Sequence, residues 1–81
     1  MKLIPMTEVE EAFGLSESTI RRQEKCGLLP PRVLNGDKVR SFVKEEIEIV
    51  MAARINNLPL NQQKLLVKSL IAKRKEMKYE V

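Results

Sequence analysis

SESTIRRQEKCGLLPPRVLNGDKVR, residues 16–40, divides into a helix, a stop and a hairpin. Ser16 can cap the free amides of a helix that runs to Gly27, and a glycine there readily takes the left-handed conformation that closes a helix. Pro30 and Pro31 forbid continuation and force an extended path. Arg32-Val33-Leu34 and Val39-Arg40-Ser41-Phe42 then read as two short strands around Asn35-Gly36-Asp37-Lys38, with Asn35-Gly36 supplying the positive dihedral angles of a tight hairpin. The helix carries Arg21, Arg22 and Lys25; the hairpin carries Arg32, Lys38 and Arg40. Two adjacent elements thus offer positive charge to one surface, which is what gripping a nucleic-acid backbone requires.

Upstream, Thr7 followed by Glu10 has the spacing of a capping box, and Gly14 supplies the stop of a first helix of about two turns, with Val9, Ala12 and Phe13 toward the core. Leu15 bridges a tight turn to Ser16. Short helix, tight turn, short helix over residues 7–27 is a helix-turn-helix outline. A rotation of about 100° per residue puts Ile20, Gln23 and Glu24 on one side of the second helix and Ser18, Arg21, Arg22 and Lys25 toward the other. Ile20 should therefore dock on the first helix. Ser16, Ser18 and Thr19 near the helix start suit a phosphate, because hydroxyls and free amides point the same way. Arg21, Arg22 and Lys25 can reach phosphates or a guanine edge, and Arg32, Lys38 and Arg40 extend the expected contact surface. The competing reading is an amphipathic helix with a solvated basic face. Strands this short do not reveal by alternation which side chains face inward.

Downstream of the expected wing at 32–42, Leu28 and Leu29 behind it should be core. A third helix is expected over 44–55, with Ile47, Val50, Met51 and Ile55 on one face. Glu45, Glu46 and Glu48 fit its first turn, where the helix dipole favours acidic groups, better than acid–base catalysis. After Asn56-Asn57-Leu58-Pro59-Leu60, Asn61 can cap a fourth helix over 62–78 with Leu66, Val67, Leu70, Ile71 and Met77 on its stripe and Leu65 off it.

The 81 residues have room for one domain, 1–81, with a small core. Only 4% are aromatic and none is Trp, so Leu, Ile, Val and Met must build that core. The formal charge is +4, unevenly spread: residues 1–19 carry a net −3, 20–42 a net +4, 43–60 a net −1 and 61–81 a net +4. Two separate basic regions on a near-neutral scaffold suggest a directed surface. The longest apolar run, Ile49 to Ala53, is too short to span a bilayer, and Met1 to Met6 does not read as a signal peptide, so no membrane partner and a cytoplasmic location are expected. No His, no glycine-rich phosphate loop and no nucleophile with a visible base are present, so neither an enzyme nor a cofactor is expected. Cys26, one thiol without a second Cys, is a poor metal site and reads as a small buried hydrophobe.

Thr19-Ile20-Arg21, Glu24, Gly27-Leu28-Leu29-Pro30, Asn35-Gly36, Arg40, Phe42 and Glu45-Glu46-Ile47, in that order and near that spacing, resemble the DNA-binding domain of MerR-type regulators. Ala53-Arg54, Leu58, Leu60 and the following helix continue the likeness, which covers roughly residues 3–72. MerR proteins continue into a long dimerisation helix, whereas these 81 residues are expected to stand as a free domain. With Met1-Lys2-Leu3-Ile4, Glu8-Val9 and Gly14-Leu15-Ser16, the chain looks like the AlpA group, small regulators of prophages and mobile elements related in fold to excisionases. It departs from both families in the wholly polar Arg22-Gln23, where aromatic residues are frequent, in Val43 at a capping position, and in Phe42, where Trp or Tyr is usual. The resemblance implies a mainly α fold with a small β-hairpin wing, a MerR-like winged helix-turn-helix of about four helices. It implies sequence-specific binding of double-stranded DNA and regulation of transcription. The alternative is an excisionase, a recombination directionality factor that bends attachment-site DNA; a third reading is a protein-interaction module using the fourth helix. Without a long dimerisation helix, high affinity would need tandem sites or a partner, so a second copy is expected through self-association or tandem binding by the fourth helix, and an integrase or RNA polymerase are further expected partners.

Overall fold

The computed structural model describes residues 2–77, among which lie four helices and a three-stranded antiparallel sheet. In chain order these are β1 (Leu3–Ile4), α1 (Met6–Phe13), α2 (Glu17–Cys26), β2 (Val33–Leu34), β3 (Arg40–Val43), α3 (Lys44–Ile55) and α4 (Leu60–Arg74). This arrangement is compatible with a helix-turn-helix followed by a hairpin. None of the helices is long and apolar enough to cross a membrane.

β1 is not legible in the sequence: Leu3 pairs with Val43 and Ile4 with Phe42, placing β3 between β1 and β2. Two residues followed by Pro5 carry no readable alternation. Having left the sheet at Pro5, the chain turns at once into α1, with the Pro5 carbonyl accepting from the Glu8 and Val9 amides. The expected capping box is therefore absent, since Thr7 lies inside the first turn and no side chain caps this end. Gly14 closes α1 at φ 66°, and the amides of Gly14 and Leu15 both donate to the Glu10 carbonyl. Val9 is fully buried and Phe13 packs against the core, but Ala12 is exposed because it borders the gap toward α3.

α2 follows its expected limits. Ser16 caps it by accepting from the Thr19 amide at 3.4 Å, and Gly27 ends it at φ 83°. Ile20 and Leu29 are fully buried, whereas Leu28 is half-buried. The hairpin pairs Val33 with Ser41 and Leu34 with Arg40, leaving Asn35 to Val39 as its loop. Its tip is not a two-residue turn. The Asn35 amide donates to the Val39 carbonyl at 2.6 Å, and within the loop only Gly36, at φ 92°, has a positive φ.

Val43 precedes α3 without a capping side chain, as the sequence suggested, and β1 compensates. The Lys44 amide donates to the Lys2 carbonyl at 2.7 Å, and the Lys2 amide donates to the Glu45 carboxylate at 3.1 Å. That second bond is the main reason the Glu45 carboxyl lies below its ordinary pKa. Glu48 falls beyond the first turn, and Ile55, expected in the core, is 71% exposed in the last turn. Asn57, at φ 57°, and Pro59 then turn the chain into α4. α4 begins at Leu60, so Asn61 is inside it and not its cap; the helix ends at Arg74, which leaves Met77 past its end and half-exposed. Lys78, the expected end, lies outside the described residues. Val67 and Leu70 are buried with Leu66 and Ile71 packed against the core, which joins them to Ile4, Val9, Ile20, Leu29, Phe42, Ile47 and Val50.

Candidate nucleic-acid interface

Three hydroxyls gather at the start of α2. Ser16 Oγ lies 3.2 Å from Ser18 Oγ and 3.0 Å from Thr19 Oγ1, and Arg22 reaches Thr19 Oγ1 at 3.5 Å. The Ser16 cap engages the third amide of the helix, which leaves those of Glu17 and Ser18 without intrahelical partners by position. Hydroxyls, amide donors and the positive end of the helix dipole thus meet at one exposed place.

Ser18, Arg21, Arg22 and Lys25 stand at helical spacing on one stripe, and all four are exposed. Arg21 forms an ion pair with Glu17 at 2.7 Å, but both side chains are more than half exposed, so the pair is weak and exchangeable for a phosphate. On the opposite stripe Ile20 is buried, with Gln23 and Glu24 half-buried.

The hairpin register settles a point that the strand sequences left open. Leu34 and Arg40 are opposed, as are Ile4 and Phe42, so Arg40, Phe42, Ile4 and Leu34 share one sheet face. Phe42 and Ile4 are core, so Arg40 extends from the face on which the helices pack. Val33, Ser41, Val43 and Leu3 lie on the other face, where Leu3, Val33 and Val43 border Arg74 and Met77. Arg40 and Lys38 are exposed. Arg32 is drawn inward: its Nε and backbone amide both donate to Glu24, at 3.2 and 2.9 Å, and its guanidinium lies 5.9 Å from the Phe42 ring centre. The structure therefore places it at the joint between α2 and the hairpin, apart from the exposed cations. Cys26, expected to be buried, is exposed. The last turn of α2 projects it away from the Ile20 side.

Two arginines outside the expected set hold this surface in place. Arg54, on α3, donates to Gln23 Oε1 at 2.7 Å and to the Leu28 carbonyl at 3.1 Å, and its guanidinium lies 4.8 Å from the Phe13 ring centre. One side chain thus ties α1, α2 and the turn after α2 to α3. Burial lowers its pKa, and its Nε is buried without a partner. The polar Gln23 serves as Arg54's acceptor. Arg74, on α4, makes a two-pronged pair with Glu46, through Nε at 2.7 Å and a second nitrogen, and also donates to the Pro31 carbonyl at 2.9 Å. Glu46 is buried. Helix-start placement explained its charge but not its partner, which lies 28 residues away.

Comparison with family models, curated proteins and solved structures finds no match. The reading of this surface therefore rests on its own chemistry: hydroxyls and amides at a helix start, three cations along α2, two more on the hairpin, and inward-facing side chains that fix the angle between them.

Proposed function

We propose that the chain is a winged helix-turn-helix protein that binds double-stranded DNA in a sequence-specific manner and regulates transcription, with no catalytic activity. The observation that carries this reading is the division of α2 into an inward side held by Ile20, Gln23 and Glu24 and an outward side bearing Ser18, Arg21, Arg22 and Lys25. A helix fixed on one side and cationic on the other is suited to the major groove, where its start can meet a phosphate and a guanidinium fork can read guanine. Lys38 and Arg40 on the hairpin add contacts to the flanking backbone. Ser16, Ser18 and Thr19 position the helix start, and Arg32 acts through Glu24 by fixing the hairpin against α2.

The test is selection of duplexes from a random-sequence pool, followed by affinity measurements on the enriched duplex. The wild-type chain should enrich a defined sequence. Arg21→Ala combined with Arg22→Ala should abolish binding while leaving the melting temperature near that of the wild type, since neither side chain is buried. Undiminished affinity of the double variant across a salt series would sink the proposal.

A further inference from the structure

α3 has two different neighbours. On one side Glu45, Glu46 and Ile49 border Leu70 and Arg74 of α4; on the other, Lys44, Glu48, Met51, Ala52 and Ile55 line an open groove of about 460 Å³ against Glu8 and Ala12 of α1. That groove is largely apolar, and none of the described residues covers it. Its charged lining is Glu8 and Glu48 with Lys44, a net negative set. α4 presents the opposite character outward. Asn61, Leu65, Lys68, Ser69 and Ala72 follow one another at helical spacing and are all exposed, and Lys64 stands beside them. Leu65 is 63% exposed, and no carboxylate occurs between Leu60 and Arg74.

We infer that the α1–α3 groove of one copy receives the outward face of α4 from a second copy, with Leu65 seated against Ala52 and Ile55 and with Lys64 and Lys68 meeting Glu8 and Glu48. Charge complementarity selects this occupant: the charged residues of the groove, Glu8 and Glu48 against Lys44, are net negative, and the only charges on the outer face of α4 are cations. An intramolecular version is excluded because α4 is already packed on the far side of α3. Groove and knob are different surfaces on opposite sides of α3, so the contact is head-to-tail and repeats from copy to copy. A single leucine anchor with exposed ion pairs makes a weak contact in free solution. On DNA, neighbouring copies would face each other at high effective concentration, giving cooperative occupancy of tandem sites.

The contact does not depend on the DNA-binding reading and is measured without DNA, by sedimentation equilibrium of the full chain. Ala52→Arg fills the groove and Leu65→Ser removes the knob; both positions are exposed, and circular dichroism checks that each variant keeps its helices. The wild type should grow in mass with concentration beyond the dimer, and each variant alone should stay monomeric. Mixed together, the two variants should form a heterodimer and nothing larger, because each retains one half of the contact. Glu48→Lys and Lys68→Glu should each weaken assembly, and their combination in one chain should restore it. A wild type that stays monomeric up to its solubility limit, growth that halts at a symmetric dimer, or variants that assemble like the wild type would overturn the inference.

Discussion

Arg54 is half-buried, yet it touches three segments of the chain besides its own helix. Replacing it with Met would leave Gln23 Oε1 and the Leu28 carbonyl without their donor, at a cost of about 1–3 kcal/mol, read as a lower urea midpoint at an unchanged slope. If α2 reads DNA as proposed, the same variant should loosen sequence preference more than it weakens overall affinity, since it frees α2 without removing any of the proposed phosphate contacts. Burial holds the Arg54 pKa below its ordinary value. For a cation this means that the unfolded chain binds more protons between the lowered folded pKa and the ordinary guanidinium value, so stability rises with pH only in that strongly alkaline window. Around neutrality, the stability difference between wild type and Arg54→Met should therefore be flat with pH. At this scale the sequence revealed apolar roles better than ionic ones. Ile20 and Leu29 follow from periodicity and from position before a proline pair, whereas Arg32, Glu46, Arg54 and Arg74 carry charge without naming a partner, and Arg32 consequently read as one more outward cation.

Element boundaries follow local chemistry where a glycine or a capping hydroxyl sets them. Gly27 stands at φ 83° with open space around the position of an added Cβ, so Gly27→Ala should cost about 1–2 kcal/mol through backbone strain alone. Ser16→Ala should cost about 1 kcal/mol by removing the α2 cap. Thermal melts of both variants check these values. Boundaries set by distant parts of the chain were not legible: α1 starts where β1 releases it, and α3 starts on a carbonyl and a carboxylate clasp involving Lys2. Since the folded pKa of Glu45 is depressed, that clasp is fully present above the ordinary carboxylate pKa of 4.5 and is lost as pH falls through the folded value. Hydrogen exchange at the Lys2 amide should accelerate over that acidic range beyond the intrinsic rate. The Glu46–Arg74 pair joins elements in the same long-range manner. Glu46→Gln should cost about 3 kcal/mol by leaving Arg74 against a neutral partner, and a Glu46→Leu, Arg74→Leu double variant should recover much of that loss.

Across the whole molecule, the proposed DNA-binding reading has two basic regions to choose between, and their net charges are equal. Their surroundings differ. On α2 and the hairpin the cations belong to elements locked together by Arg32–Glu24 and backed by Arg54–Gln23, whereas the α4 lysines project from the outside of a helix whose other side packs on α3. If Arg21, Arg22, Lys25, Lys38 and Arg40 each neutralise one phosphate, the logarithm of affinity should fall with the logarithm of salt concentration at a slope near −4.5, roughly 0.9 for each contact. Lys38→Gln and Arg40→Gln should each reduce the steepness of that slope by about 0.9 on a duplex holding a single site. Lys64→Gln and Lys68→Gln should leave the single-site slope unchanged and instead reduce cooperativity on a duplex holding two adjacent sites. A loss of slope from the α4 substitutions, with none from the hairpin, would place the DNA against α4 and reverse the orientation proposed for the molecule.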